Sequence, residues 1–474
     1  MSAAAGSPWR RRLRGAALGV VAAVLLTAGY FARQVILVGN GYVAKTVCSG
    51  VFVSGRKPQG VLDAEIRLND PGILRLVSAD TERSSRTVRS AFLGLGERVA
   101  VFRDGLGCTL ALGVGAGELA SRGLPSNVAA LPTTGTSWPT RDARGAGSGP
   151  SGLDPMAITA ALDEAFAEPG PVPTRRTRAV VVVQDGRLVA ERYGAGHGPE
   201  TALPGWSMTK SVVNALAGVL VREGKLALDA PLRAPEWSAP DDPRRALTLR
   251  QLLQMSSGLA FTESYGNPLG DVIWMLFGTG DAAGFAARKP LAAPAGQRWS
   301  YSSGTTNIIA RALRGAVGGT EADYQLFPRR ALFEPLGMTS ATIEPDAAGT
   351  FVGSSLMFAT ARDWARFGLL FLQDGTWAGQ RILPEGWVAF SVTPAPAAPG
   401  GVYGAHFWLR LGEASYARSG EHGIPPDTYH AIGHEGQILT VIPSRRLVVV
   451  RLGLSVGRGA WDHAAFLRRL LGNG

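Results

Sequence analysis

Several changes of hydrophobic rhythm divide the chain. Trp9 to Arg14 is cationic, and Ala16 to Ala32 then runs 17 residues without a charge before Arg33. A run of that length after an arginine cluster predicts an apolar membrane helix whose N-terminus stays on the cytoplasmic side, so that the chain after residue 33 is exported. Short β-like runs follow, Val51 to Val53 and Val99 to Phe102, within a stretch from 34 to about 130 that reads as a small separate unit. Residues 131–154 are rich in Gly, Ser, Thr and Pro and predict a linker. From residue 155 the periods sharpen. Met156 to Ala167 repeats at helical spacing, and Ala179 to Val183 is a continuous apolar run inside a strand from Arg178 to Gln184. Asp185-Gly186 is a hairpin signal, and Arg187 to Tyr193 alternates as the return strand.

Residues 208–390 are mostly helical in pattern and are punctuated by Pro and Gly. Strand patterns return at Val402 to Leu411, Thr428 to Ile432, Ile438 to Ile442 and Leu447 to Leu454, and Trp461 to Leu471 closes the chain as a helix. Strands at both ends of residues 155–474, with helices between, predict an α+β fold. An antiparallel sheet is shared by the two ends, and a helical second lobe leaves a cleft between them.

Composition narrows the partners. With 46% hydrophobic and 18% charged residues in 474, the bulk of the chain has the material for a large core. The net charge of +11 would suit nucleic acid, yet the basic residues are arginines spread along the chain, five lysines aside, with a block only at Arg10 to Arg14. No nucleic-acid partner is expected. Cys48 and Cys108 are the only cysteines. In an exported chain they predict one disulfide, worth about 4 kcal/mol in the chain-entropy account, with two unconnected buried thiols as the alternative. Two cysteines and six scattered histidines form no zinc pattern, so no metal or cofactor is expected.

The chemistry concentrates in three segments. Ser207-Met208-Thr209-Lys210 precedes an apolar run, so serine and lysine share a helix face. A serine hydroxyl needs a base to become a nucleophile, and a lysine serves once burial lowers its pKa. A serine N-cap with a solvated Lys210 is the bland reading. A second S-x-x-K, Ser54 to Lys57, holds Gly55 and precedes Pro58, so no helix is expected there. Trp299 to Gly304 is loop-like and carries Tyr301, a proton relay if cations hold its phenol down, otherwise a packed ring. Gly433-His434-Glu435-Gly436-Gln437 leads into the strand at Ile438; Gly436 would admit a substrate to the backbone and the Gln437 amide would face the acyl group. Without such roles, His434 is an edge histidine. Glu263 reads as a surface residue that could meet a substrate amine, and Trp206, Tyr265, Trp274 and Trp299 as core or pocket aromatics.

These segments, in this order, resemble the serine β-lactamase and penicillin-binding-protein superfamily, in its class C-like branch with family VIII esterases and 6-aminohexanoate-dimer hydrolases. The likeness spans about residues 150–474 and includes Leu252 to Leu259, Glu334 to Met338 and Ala359 to Asp363 as scaffold turns. It implies a serine hydrolase with Ser207 acylated, Lys210 as base, Tyr301 relaying protons, and the backbone amides of Ser207 and Gln437 as the oxyanion hole. Substrate would contact His434, Gly436 and Ser303. Two positions depart from the pattern: Ser303 stands where an asparagine is usual, and His434 where a lysine is usual. A neutral histidine cannot pair with a β-lactam carboxylate as an ammonium does. An ester or amide substrate, small or peptide-like, is therefore expected. The alternative is a non-catalytic cell-envelope protein that keeps the fold to bind. Residues 1–33 place the protein in the bacterial inner membrane facing the periplasm, or free in the periplasm if they are cleaved.

Overall fold

The structure is a computed structural model and describes residues 8–68, 72–124, 152–172, 174–412, 416–457 and 459–473. The linker expected over 131–154 therefore falls, through residue 151, outside the described residues.

Helix α1 runs unbroken over Pro8–Cys48 and has two unlike halves. Every residue from Ala16 to Arg33 is exposed although almost all are apolar. It is long and apolar enough to cross a membrane. From Leu37 onward the same helix is buried: Val38, Val43, Ala44, Val47 and Cys48 join the main core. A four-stranded antiparallel sheet wraps this second half: β1 (Val77–Glu82), β2 (Thr87–Phe92), β3 (Leu95–Arg103) and β4 (Gly107–Leu110). Asn40 Nδ2 donates to the carbonyls of Leu95 (2.9 Å) and Gly96 (2.7 Å), pinning the β2–β3 turn to the helix. Cys48 and Cys108 are joined in a disulfide that ties the end of α1 to β4. Val51 to Val53 is not a strand but a π-helical turn that continues α1. Packing overrides β propensity there: a Cβ on Gly50 would lie 2.7 Å from Val61.

The second sheet has five strands, all antiparallel. After helix α2 (Pro155–Phe166) come β5 (Thr177–Gln184) and β6 (Arg187–Tyr193), joined by the Asp185-Gly186 turn. Helices α3 (Thr209–Arg222), α4 (Ser303–Val317) and α5 (Ala361–Leu372) occupy the middle. Strands β7 (Tyr429–Ile432), β8 (Ile438–Ile442) and β9 (Leu447–Gly453) then precede helix α6 (His463–Leu470). The order β7-β8-β9-β5-β6 pairs the two ends of the chain through β9 and β5. Both faces are covered, which explains the unbroken valine run. Val181 and Val183 face the core that holds α5, while Val180 and Val182 face α2 and α6. Each fully buried valine contributes about 1.5–3 kcal/mol.

Val402 to Leu411 forms no strand beyond isolated bridges. His406 sits at φ 59°, and the amides of Ala405 and His406 donate to Ser391 and Leu253 in the helical lobe rather than to a neighbouring strand. The N-terminal sheet and the hydrolase-like region share one continuous core cluster.

Candidate active site

Ser207 lies in a 3-10 turn, Trp206–Met208, that opens directly into α3. Trp206 takes φ 47°, a left-handed conformation costing about 1–3 kcal/mol for a bulky residue, so the surroundings must hold it. They do so in part through Trp206 Nε1, which donates to Glu435 Oε2 (3.1 Å). Glu435 itself has φ 62°. Two strained residues thus clasp the Ser207 turn to the His434–Gly436 turn.

Lys210, the second residue of α3 and one turn beyond Ser207, is 1% exposed. Its Nζ donates to Ser207 Oγ (2.9 Å), Ser303 Oγ (3.0 Å) and the Ser354 carbonyl (2.9 Å). This geometry excludes a solvated lysine. Burial pushes the amine down to about 8, against the charge of Glu263, which holds it up. The control segment behaves as expected, since Ser54 to Lys57 is not helical and Lys57 does not face Ser54 across a turn.

Ser303 is the first residue of α4, capped by Ser302, whose side chain accepts from Thr305 N. Its hydroxyl accepts from Lys210 and donates to Glu263 Oε1 (2.5 Å), while its amide donates to Glu263 Oε2 (2.8 Å). A line of four groups results: Glu263, Ser303, Lys210, Ser207. The sequence reading of Glu263 as a solvated residue is corrected. Its spacing carries no signal, because its partner lies 40 residues away.

Tyr301 stands against Lys210, with Nζ 4.8 Å from the ring centroid. Burial, with Glu263 adding to it, pushes its phenol up, and hydrogen bonding to Ser207 only partly offsets this. The phenol is thus pushed up rather than held down by cations, which favours its protonated form. Tyr265 is a second phenol in the same position. Burial raises it too, and it interacts with the hydroxyls of Ser207 and Ser303. Its ring stacks on His434 at 4.5 Å and 8°. Trp206 meets the same imidazole edge-on at 5.5 Å. Desolvation lowers the His434 pKa, which favours the neutral ring. Among the sequence-stretch aromatics, Tyr265 and Trp206 thus reach the site.

The role expected of Gln437 belongs to its backbone amide, and its side chain is engaged elsewhere. The Gln437 side chain is spent on β9: Nε2 donates to the Gly453 carbonyl (2.7 Å) and Oε1 accepts from the Gly453 amide (2.9 Å). It cannot also face an acyl group, and only the backbone amide is left for that role. Gly436 has φ 80°, and a Cβ there would lie 2.4 Å from Arg451 Nη1. The glycine is required by the arginine beneath it. Arg451, fully buried, donates to the Glu435 and Gly436 carbonyls and so supports the whole turn.

With this geometry in view, the likeness to known proteins is informative. The profile of the family described as Beta-lactamase matches residues 167–471, well over half of the chain, leaving α1 and β1 to β4 outside. The 6-aminohexanoate-dimer hydrolase of Paenarthrobacter ureafaciens is 27% identical over 291 residues, 58% of this chain and 72% of that protein. A penicillin-binding protein homolog from Caulobacter crescentus superposes with a TM-score of 0.51 at 20% identity, covering 67% of this chain and 95% of that one. A D-stereospecific amidohydrolase from Streptomyces gives a TM-score of 0.51 at 16% identity, covering 68% and 99%. Both structures share the fold of the two-lobed region. The chain belongs to the beta-lactamase family, within the wider superfamily of serine β-lactamases and penicillin-binding proteins.

Proposed function

We propose that the protein is a membrane-anchored serine hydrolase that cleaves an ester or amide through an acyl-enzyme on Ser207. The observation that carries this reading is the contact of the buried Lys210 Nζ with Ser207 Oγ at 2.9 Å. In the neutral form Lys210 takes the Ser207 proton as Oγ attacks the substrate carbonyl. The backbone amides of Ser207 and Gln437 receive the oxyanion, an interaction worth about 3 kcal/mol per donor in other enzymes. Ser303 and Glu263 stabilise the ammonium that forms. Tyr301, holding its proton, passes it to the leaving group and is refilled from Lys210. Water then enters, gives its proton back along the same path, and releases the acid. The curated 6-aminohexanoate-dimer hydrolase relative and the D-stereospecific amidohydrolase structure favour an ester or amide over another bond. The exposed apolar half of α1 supports the anchor in this reading, and the arginines before it favour a periplasmic side for residues beyond Arg33.

Labelling with a fluorophosphonate probe tests this directly. Wild-type protein should label and Ser207→Ala should not. Equal labelling of the variant removes Ser207 from the role. A folded wild-type protein that neither labels nor cleaves any ester favours the non-catalytic binding protein instead.

A further inference from the structure

A cavity of about 500 Å³ lies between α1 and the loop that carries Tyr265. That size falls in the range of small-molecule sites. One wall is α1 itself, through Val35, Val38 and Tyr42; another is Ile73, Leu74 and Phe277. Its inner end is formed by Trp206, Tyr265 and His434; Trp206 precedes Ser207 in the chain, Tyr265 interacts with the Ser207 hydroxyl, and both rings pack on His434. Glu435 is the one charged residue among those lining it, and that carboxylate is engaged by Trp206. An apolar space therefore lies behind the aromatic residues next to the candidate nucleophile.

Its outer end has a neighbour of known character. Val35 lies two residues beyond Arg33, where the exposed half of α1 ends, and Tyr42 stands about 10 Å further along at the usual rise per residue. The cavity thus sits within the first turns beyond the span. An exposed apolar collar rings the same level. Ile73, Leu76, Leu93 and Leu95 are 56%, 50%, 67% and 61% exposed. They are fixed there by contacts already described or adjacent: Asn40 holds Leu95, Leu93 N donates to the Leu76 carbonyl, and Leu74 packs beside Gly39. Large side chains in that number, beside a span, meet lipid rather than water.

We propose that this cavity receives the hydrocarbon chain of a bilayer-resident ester or amide, so that the acyl group transferred to Ser207 comes from a lipid-like amphiphile. The inference deepens the acyl-enzyme reading and rests on it for the chemistry. Serine oxygen bonds to the chain's carbonyl carbon, the ester or amide bond breaks, and the alcohol or amine leaves with the proton. Water then releases a long-chain acid. The neutral His434 fits such a substrate, because an acyl chain brings no carboxylate for a cation to hold.

The test uses the full chain in phosphatidylcholine nanodiscs and p-nitrophenyl esters from acetate to dodecanoate. Decanoate should exceed acetate in kcat/KM by about tenfold or more, since each methylene in a fitting pocket contributes several-fold. Val35→Trp, which fills the cavity, should lower the decanoate-to-acetate ratio by about the same factor. Retained fluorophosphonate labelling certifies its fold. If it does not fold, Ile73→Asp at the exposed mouth replaces it. Binding is read separately by the fluorescence of dansylundecanoic acid, which should be enhanced by wild type and not by Val35→Trp. Acetate cleavage with no chain-length preference and no probe uptake overturns the lipid inference and leaves the hydrolase reading standing. Probe uptake without cleavage of any ester overturns the hydrolase reading and keeps the cavity as a lipid site.

Discussion

The protein holds two buried lysines, each hydrogen-bonded to a serine, and only one is the base of the proposed reaction. Lys45, in the buried half of α1, reaches Ser49 Oγ (3.1 Å) and the carboxylate of Glu344. Lys210 reaches Ser207 Oγ, Ser303 Oγ and a carbonyl, and meets its carboxylate, Glu263, only through Ser303. Burial is nearly the same, at 4% and 1% exposure. Burial pushes both amines down. The difference is one intervening hydroxyl: Glu344 opposes the fall at Lys45 by charge and by a direct hydrogen bond that ties up the amine, whereas Glu263 opposes it at Lys210 by charge alone and leaves the amine on Ser207. Glu344 is also saturated, by Ser49 Oγ and the Cys108 amide, so the Lys45 cluster joins α1, β4 and the hydrolase lobe. Burial and a serine partner alone therefore do not make a base. Arginine, used at nearly every other basic position, could not serve at 210 because it keeps its proton at any working pH.

The sharpest way to break this comparison is to remove each amine in turn. Lys210→Met should lower acylation of Ser207 by about 10²–10⁴-fold, the usual contribution of a general base. Single-turnover labelling measures it, and a normal rate would reduce Lys210 to a structural residue like Lys45. Lys45→Met should act on stability instead, costing about 3–5 kcal/mol because Glu344 is left buried without its partner. Its folded fraction should label at the wild-type rate.

Stability at position 210 should move the other way. The amine is lowered from 10.5 to about 8 in the folded protein. Below pH 8 both folded and unfolded chains hold the proton, so folding bears the full cost of burying it. That cost fades between 8 and 10.5 and is absent above. At about 1.4 kcal/mol per unit, Lys210→Met should gain up to about 3 kcal/mol at pH 7, less whatever its three lost hydrogen bonds are worth. Urea melts of the two methionine variants should therefore differ in sign. A loss at 210 equal to that at 45 would end the contrast.

The same pair shows what was legible. Ser207 and Lys210 stand three apart, so helical geometry alone brings them together, and the five-strand sheet follows from valine runs and a hairpin signal. Lys45 and Glu344 are 299 residues apart, and no local pattern links them. Glu263, Tyr265 and the side-chain clamp of Gln437 on Gly453 were obscured for the same reason: each role is set by a distant backbone. Val51 to Val53 and Val402 to Leu411 looked extended by residue type, but packing and a left-handed His406 decided otherwise. The half-exposed, half-buried character of α1 was legible only up to Arg33, since its buried half is recognisable only against the sheet that wraps it.

The smallest expected effect is the most discriminating, because it tests the intervening hydroxyl rather than either amine. If neutral Lys210 is the base, kcat/KM should rise with pH, falling tenfold per unit on the acid side and levelling above a midpoint near 8. Glu263 raises that midpoint by its charge. Glu263→Gln should therefore move the midpoint to lower pH while leaving the alkaline plateau within a small factor, since glutamine still accepts from Ser303. Glu344→Gln, which removes the carboxylate beside the other lysine, should leave the midpoint where it was, for Glu344 does not contribute to the Lys210 shift. A midpoint that stays fixed in Glu263→Gln, or that moves with Glu344→Gln, would mean that the two lysines are not insulated from each other and that the Ser303 hydroxyl is not what separates a base from an ion pair.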